Sequence, residues 1–326
     1  MDRLARVQVS VRVPAKINLA LRVGPLRDDG FHELTTVFHG VSLYDEVTVS
    51  DEVGSDQPSD QPPDHLSRRF TDEGGDGPLL TIGGPHGSGL AADASNLAIR
   101  AIDALAKAAG RTPRARLHIH KGIPVSAGLA GGSADAAGTL LACNQLWGLD
   151  WPVARLLPIA QKLGSDVPFA LVGGTAVGVG RGEQLDPVPV GRDLHWVVAA
   201  ADEGLSTPDV YRQLDALRAA REMESADPAV DASLLTALER GDVRTIGGLL
   251  ANDLQEAALE LRPVLADTLR AGNAAGALGG IVSGSGPTCV FLVESAAHAR
   301  DVAAALVAAG ACASAEPVTG PAVPSF

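Results

Sequence analysis

The sequence predicts an α+β protein built as two halves, each with its own strands and helices, set on either side of a cleft. Three observations carry this. Alternating strand patterns crowd residues 7–49, alanine-rich helical runs follow at 96–109, 132–147 and 152–163, and a strand-then-helix pattern restarts at residue 194.

Taken in order, Val7, Val9, Val11 and Val13 alternate with polar residues and read as a half-buried strand, ended by Pro14. Residues 18–23 read as a second strand, Asp28, Asp29 and Gly30 as a turn, and residues 35–49 as further strand. Residues 51–89 are acidic and rich in Pro, Gly and Ser; they read as an exposed insertion with one short strand at 79–82. Leu97, Ile99, Ala101, Ile102 and Leu105 have helical spacing, and Gly110 suits the C-cap. A strand at 115–120 and helices at 132–147 and 152–163 follow, then a strand–turn–strand at 169–182. The second half reads as a strand at 196–201, helices through 207–271, strands at 281–283 and 289–294 around a loop, a helix at 296–310 and a loose tail from Pro317. The expected division is 1–168 and 169–326.

Composition narrows the function. With 46% hydrophobic and 3% aromatic residues, the core is built from Ala, Val, Leu and Ile. A net charge of −13 argues against nonspecific nucleic-acid binding, which needs surplus Lys and Arg. No apolar run is long enough to span a bilayer, and no signal-peptide core opens the chain. Cys143, Cys289 and Cys312 are far apart and outside CxxC spacing, which fits a cytoplasmic protein without a disulfide framework or zinc site. Neither nucleic acid nor a membrane is expected as a partner, and the expected state is a monomer or homodimer.

Three small-residue segments carry candidate chemistry. Pro124-Val125-Ser126-Ala127-Gly128-Leu129-Ala130-Gly131-Gly132-Ser133-Ala134-Asp135 lies between a strand and a long helix. Small residues let a phosphate approach the backbone, and free N–H groups at a helix start favour an anion. The other reading is a flexible loop with Ser133 or Asp135 as helix cap. The spacing is neither G-x-x-x-x-G-K-[ST] nor a strand-borne G-x-G-x-x-G, which excludes the two commonest nucleotide loops. Pro14-Ala15-Lys16-Ile17-Asn18-Leu19 places Lys16 and Asn18 on one side of an extended chain. Lys16 is either a solvated surface lysine or a cation that neutralises a phosphoryl group. Ser283-Gly284-Ser285-Gly286-Pro287-Thr288 is a second backbone cradle or a tight hairpin. Asp166, in Gly164-Ser165-Asp166-Val167-Pro168-Phe169, is a base for an acceptor hydroxyl or a turn aspartate bonded to its own backbone. The histidines show no metal-ligand spacing.

Read together, the three segments resemble motifs one, two and three of the GHMP kinases, in order and across nearly the whole chain. Asp29-Gly30-Phe31-His32-Glu33-Leu34 and the segment around Asp166 resemble the branch whose acceptor is a cytidine diphosphate conjugate of methylerythritol. The resemblance implies an N-terminal ribosomal-protein-S5-like ATP-binding domain and a C-terminal ferredoxin-like domain. It implies transfer of the γ-phosphoryl of ATP to the 2-hydroxyl of that conjugate, in the non-mevalonate route to isoprenoids. Asp166 is then the catalytic base and Lys16 its partner. Asn18 contacts the methylerythritol, His32 hydrogen-bonds the cytosine, and Phe31 and Tyr211 sandwich that ring. Residues Pro124 to Ala134 hold the ATP phosphates, while Asn96, Leu97 and Lys121 lie near the adenosine. Mg²⁺ accompanies ATP, with Ser133 its candidate protein ligand. Ser126, Ala127 and Ala130 stand where glycine is common in motif two, and Phe31 where tyrosine is frequent.

Overall fold

Alternate valines from Val9 to Val13 bury one face of a strand that does not stop at Pro14. The computed structural model describes residues 8–50, 67–68, 79–125, 127–223 and 225–326. The expected insertion at 51–89 falls largely outside them, as do Val7 and Ser126. Strands β1 (Gln8–Leu26) and β2 (His32–Ser50) pair antiparallel along their length. Pro14 pairs with Tyr44 but Ala15 with Val41, so the expected strand end is a bulge. Proline has no N–H for the ladder, and a bulge is where a strand accommodates that. Just beyond it, the Lys16 N–H donates to the Leu129 carbonyl at 3.1 Å, docking a loop from elsewhere onto the irregular stretch.

The first half continues with β3 (Ser67–Arg68), β4 (Leu79–Gly83), α1 (Leu97–Ala109), β5 (Arg116–His120), α2 (Gly131–Leu146), α3 (Val153–Leu163), α4 (Val167–Val172), β6 (Thr175–Gly180) and β7 (Gln184–Pro187). Then come β8 (Leu194–Ala200), α5 (Thr207–Ala220), α6 (Ala232–Arg240), α7 (Val243–Leu249), β9 (Ala251–Asn252), α8 (Gln255–Leu261), α9 (Val264–Ala274), β10 (Gly279–Val282), β11 (Cys289–Val293), α10 (Ala296–Ala308) and β12 (Ser314–Gly320).

Among the described residues the first sheet runs β3-β4-β5-β2-β1-β9, with β6 on the other half of β2 and β7 beside β6. The second runs β10-β11-β8-β12. The sheets therefore change between Pro187 and Leu194. A division at residue 168 would cut β6 and β7 from the sheet they complete. The expected strand–turn–strand at 169–182 begins instead as α4, with Pro168 in its first turn, where a missing N–H costs nothing.

Helix α2 is buried on every face from Ala134 to Cys143. A Cβ on Gly138 would lie 2.7 Å from Val47 Cγ2, so only a helix of small residues can press this closely on the sheet. The C-terminal tail is ordered rather than loose. β12 pairs with β8, Ala322 exchanges backbone bonds with Gly40 and Gly174, and Ser325 with Arg12. These bonds tie the last residues back to β1 and β2 of the first sheet.

Candidate active site

The start of α2 carries the first part of the site. Ala130, its N-cap, has φ 60° and ψ 33°, and no side chain caps the helix. The first-turn N–H groups of Gly131, Gly132 and Ser133 keep their partial positive charge for an incoming anion. Capping by Asp135 is set aside, because its carboxylate accepts from Lys121 Nζ at 2.7 Å instead.

Two cavities flank this loop and share Gly128 and Ala130 in their walls. One, about 290 Å³, is lined by Asn96, Leu97, Pro124, Val125 and Gly132 among others. The other, about 270 Å³, is lined by Lys16, Asn18, Asp166 and Tyr211. The segments predicted for phosphate and for acceptor chemistry thus open into adjoining spaces.

In the second cavity Lys16 Nζ donates to Asn18 Oδ1 at 2.8 Å, and lies 3.7 Å from Asp166 Oδ2. Asn18 Nδ2 donates in turn to Thr36 Oγ1 at 2.8 Å, which donates to the Ala20 carbonyl at 2.7 Å. Lys16 is therefore buried and oriented, not a solvated surface lysine. Asp166 stands at the N-terminus of α4 but makes no side-chain cap bond, which leaves its carboxylate to the cavity.

The third segment closes on the other two. A Cβ on Gly284 would meet Asn18 Oδ1 at 3.2 Å and Lys16 Nζ at 3.4 Å, and Gly284 has φ +59°. Ser283 Oγ accepts from the Asn18 N–H at 3.3 Å. Asn252, which sequence reasoning missed, holds this loop: its Nδ2 donates to the carbonyls of Val282 and Gly284, both at 2.8 Å. Nothing local marks Asn252, because its partners lie 30 and 32 positions away.

Phe31 and Tyr211, the two rings expected to flank the cytosine, each have a protein partner of their own. Phe31 is 52% exposed and faces the Arg181 guanidinium, 4.7 Å from its ring centroid. Tyr211 stacks on His32 at 5.1 Å and 26°. His32 Nε2 is held by Asp215 Oδ1 at 2.9 Å, which fixes the imidazole over the Tyr211 face. Asp215 was also missed, although it follows Tyr211 by one helical turn on α5 and so shares its face. Burial first, and the Asp166 charge second, raise the Tyr211 hydroxyl well above the usual phenol range.

On the nucleotide side, Asn96 caps α1, accepting from the Ala98 N–H at 2.9 Å, so part of its bonding capacity is spent on the helix. Lys121 is buried and ion-paired with both Asp45 and Asp135; Asp45 also accepts from the N–H groups of Gly122 and Ile123 at 2.9 Å. Its charge serves this internal cluster. Ala127, Leu129 and Ala134 are all buried in the same hydrophobic core.

Burial, opposed by Lys121 and reinforced by Asp45, pushes the Asp135 carboxyl up to about 7. The folded state thus holds a proton that the unfolded chain releases near its ordinary value, about 3.9. The stability this contributes is full below that value and lost as pH rises through about 7. Asp135→Asn fixes the neutral form. Its stability relative to the wild type should rise by on the order of 1 kcal/mol between pH 6 and pH 8, on top of a constant offset for the altered Lys121 contact. Urea unfolding at both pH values checks this; a pH-independent difference contradicts it.

Residues 96–174 match the GHMP kinases N terminal domain, and residues 234–312 the GHMP kinases C terminal. A protein of Thermobifida fusca named 4-diphosphocytidyl-2-C-methyl-D-erythritol kinase is 51% identical over 97% of each chain. A protein of the same name from Mycolicibacterium smegmatis is 51% identical over 96% of this chain and 90% of its own. The chain belongs to the 4-diphosphocytidyl-2-C-methyl-D-erythritol kinase family. A crystal structure of 4-(cytidine 5'-diphospho)-2C-methyl-D-erythritol kinase superposes with TM-score 0.71 at 32% identity, covering 95% of this chain and 98% of its own. A mevalonate kinase of L. major, at 15% identity and TM-score 0.74 over 99% of both chains, shares the fold. The chain is an ATP-dependent small-molecule kinase, as the family requires. Among the described residues no helix is long and apolar enough to cross a membrane.

Proposed function

We propose that this chain transfers the γ-phosphoryl of ATP to the 2-hydroxyl of 4-diphosphocytidyl-2-C-methyl-D-erythritol, giving the 2-phosphate and ADP. The observation that carries the reading is the pair of cavities meeting at Gly128 and Ala130, with the uncapped start of α2 between them and Lys16 and Asp166 on the acceptor side. In this reading Asp166 accepts the hydroxyl proton and the hydroxyl oxygen attacks the γ-phosphorus. The bond to the β–γ bridging oxygen breaks, and ADP leaves. Lys16 neutralises charge that develops on the transferring group. Asn18 holds Lys16 in place and faces the methylerythritol. Residues Pro124 to Ala134 hold the phosphates, with Asn96 and Leu97 against the adenosine and Lys121 bracing that wall from within.

The donor set suits Mg²⁺ that arrives with the nucleotide. Among the described residues no three His, Cys, Asp or Glu side chains cluster to hold a metal, whereas Mg²⁺ commonly keeps its waters and takes few protein oxygens beside phosphates. The Ser133 hydroxyl, in the first turn of α2, would supply one such oxygen. When bound, the ion would offset phosphate charge during transfer. We place the reaction in the cytoplasm, a reading supported by the free thiols of Cys143, Cys289 and Cys312.

His32, Tyr211 and Phe31 form the cytosine end in this reading. His32→Ala should raise KM for the cytidine substrate about 10-fold or more while KM for ATP stays within about twofold. An equal rise in both would make His32 a structural support for Tyr211. The activity itself is tested by coupled ADP release with 4-diphosphocytidyl-2-C-methyl-D-erythritol, homoserine, mevalonate and galactose as acceptors. ADP release with the cytidine compound alone is expected; a preference for any other acceptor overturns the reading.

A further inference from the structure

We infer that Arg181 is the anion receptor of the acceptor cavity, binding the diphosphate that joins the nucleoside to the polyol. The inference rests on the function proposed above and adds a residue outside the three motifs. The net charge of −13 means that an anionic acceptor must be met by local donors. Of the cations lining this cavity, Lys16 is committed to Asn18 and Asp166. Arg181 lines the same cavity, yet among the described residues no carboxylate pairs with its guanidinium. Its guanidinium rests instead on the Phe31 ring, 4.7 Å from the centroid.

The position matches the chemistry. Arg181 sits over Phe31, assigned to the nucleobase side, and lines the same cavity as Ser165 and Asp166, on the hydroxyl side. The diphosphate lies between those two ends of the acceptor. A guanidinium that sits over an aromatic ring, with no carboxylate partner, keeps N–H donors free for the fork that suits phosphate oxygens.

The turn bearing Arg181 is braced. The Arg181 N–H donates to Glu183 Oε2 at 2.6 Å, and the Gly182 N–H donates to the Val179 carbonyl at 3.1 Å. Gly180 and Gly182 have φ of +77° and +99°, and a Cβ on Gly182 would come 3.1 Å from Phe38 Cζ. Phe38 itself lines the cavity, so the turn is seated against the floor of the site. Glu183 accepts from the backbone N–H, and among the described residues no ion pair ties up the guanidinium, so its donors stay available to a ligand.

Calorimetric titration with cytidine and with cytidine diphosphate tests this, using wild type, Arg181→Gln and Arg181→Lys. Wild type should bind the diphosphate at least about 10-fold more tightly than the nucleoside, as charge-assisted bonds to phosphate require. Arg181→Gln should remove most of that preference while leaving the cytidine Kd and the KM for ATP within about twofold. Arg181→Lys should restore part of it, because charge returns without the fork. Equal weakening of cytidine and its diphosphate would make Arg181 only a support for Phe31, and no weakening of either would remove it from the site. If KM for ATP rose instead, the anion it meets would be the nucleotide's. A wild type that binds neither probe would overturn the cytidine reading itself, whereas one that binds both alike would overturn only the role of Arg181.

Discussion

Asp166→Asn is expected to lower kcat by about 10²- to 10⁴-fold, the range for loss of a positioned general base. Binding of ATP, measured by titration in the absence of acceptor, should change by less than about twofold, because Asp166 lines only the acceptor cavity. Folding stability should also hold. The carboxylate caps no helix, and Lys16 keeps its bond to Asn18 at 2.8 Å when the partner at 3.7 Å is neutralised. A salt link at that distance, to a side chain 29% exposed, contributes little beside the hydrogen bond. Turnover near the wild-type rate would remove Asp166 from the chemistry. A large loss of stability would show instead that the Lys16–Asp166 contact is structural.

Gly128→Ala is expected to be the most damaging single change in the phosphate loop. Gly128 has φ +73°, and a Cβ there would lie 2.8 Å from the Ser283 carbonyl oxygen and 2.9 Å from that of Gly286. Both obstacles are backbone, so neither can swing aside as a side chain could. The left-handed conformation alone costs on the order of 1 kcal/mol for a non-glycine residue, and the overlap adds to it. The total loss should reach on the order of 3 kcal/mol in urea unfolding. Because Gly128 lines both cavities, KM for ATP and for the acceptor should rise together. Gly132→Ala is the contrast: its added Cβ meets only Leu97 Cδ1, at 3.7 Å, an ordinary contact. Its stability should stay within about 0.5 kcal/mol of wild type. Equal losses in the two variants would mean that the approach of the second motif to the third is not what fixes Gly128.

The three small-residue segments were legible because close backbone approach leaves a mark in the chain itself. Gly128 is small where the structure leaves no room for a Cβ, and Gly131 and Gly284 are small where one would crowd Lys121 and Asn18 at 3.2 Å; sequence shows smallness directly. Lys16 and Asn18 were legible as a pair because extended chain puts alternate side chains together. Contacts made across the fold were not legible. Lys121 lines the cavity expected for the nucleotide, but its ion pairs with Asp45, 76 positions earlier, and with Asp135 left no mark in the sequence. Arg181 sits in an ordinary Gly-Arg-Gly turn and gains meaning only when β6 and β7 place it against Phe31.

Local rules also gave way to tertiary context. Pro14 reads as a strand end, but a bulge against β2 lets the strand run on. The short apolar run at 169–172 is ambiguous by periodicity, and Pro168 was the better guide to the helix that forms. The prolines after residue 317 suggested a loose tail, yet backbone bonds from Ala322 and Ser325 to the first sheet hold it. Proline in an edge strand such as β12 leaves the outer side unpaired, which the sheet edge permits.

We read the two cavities that share Gly128 and Ala130 as the nucleotide and acceptor halves of one site, with Lys16 and Asp166 on the acceptor side. A crystal structure with a non-hydrolysable ATP analogue and 4-diphosphocytidyl-2-C-methyl-D-erythritol tests it most directly. The triphosphate is expected against the first turn of α2, and the acceptor 2-hydroxyl within hydrogen-bond reach of Asp166, about 2.6–3.2 Å. An acceptor hydroxyl out of reach of both Lys16 and Asp166, or a nucleotide bound away from the Gly128–Ser133 stretch, would contradict it.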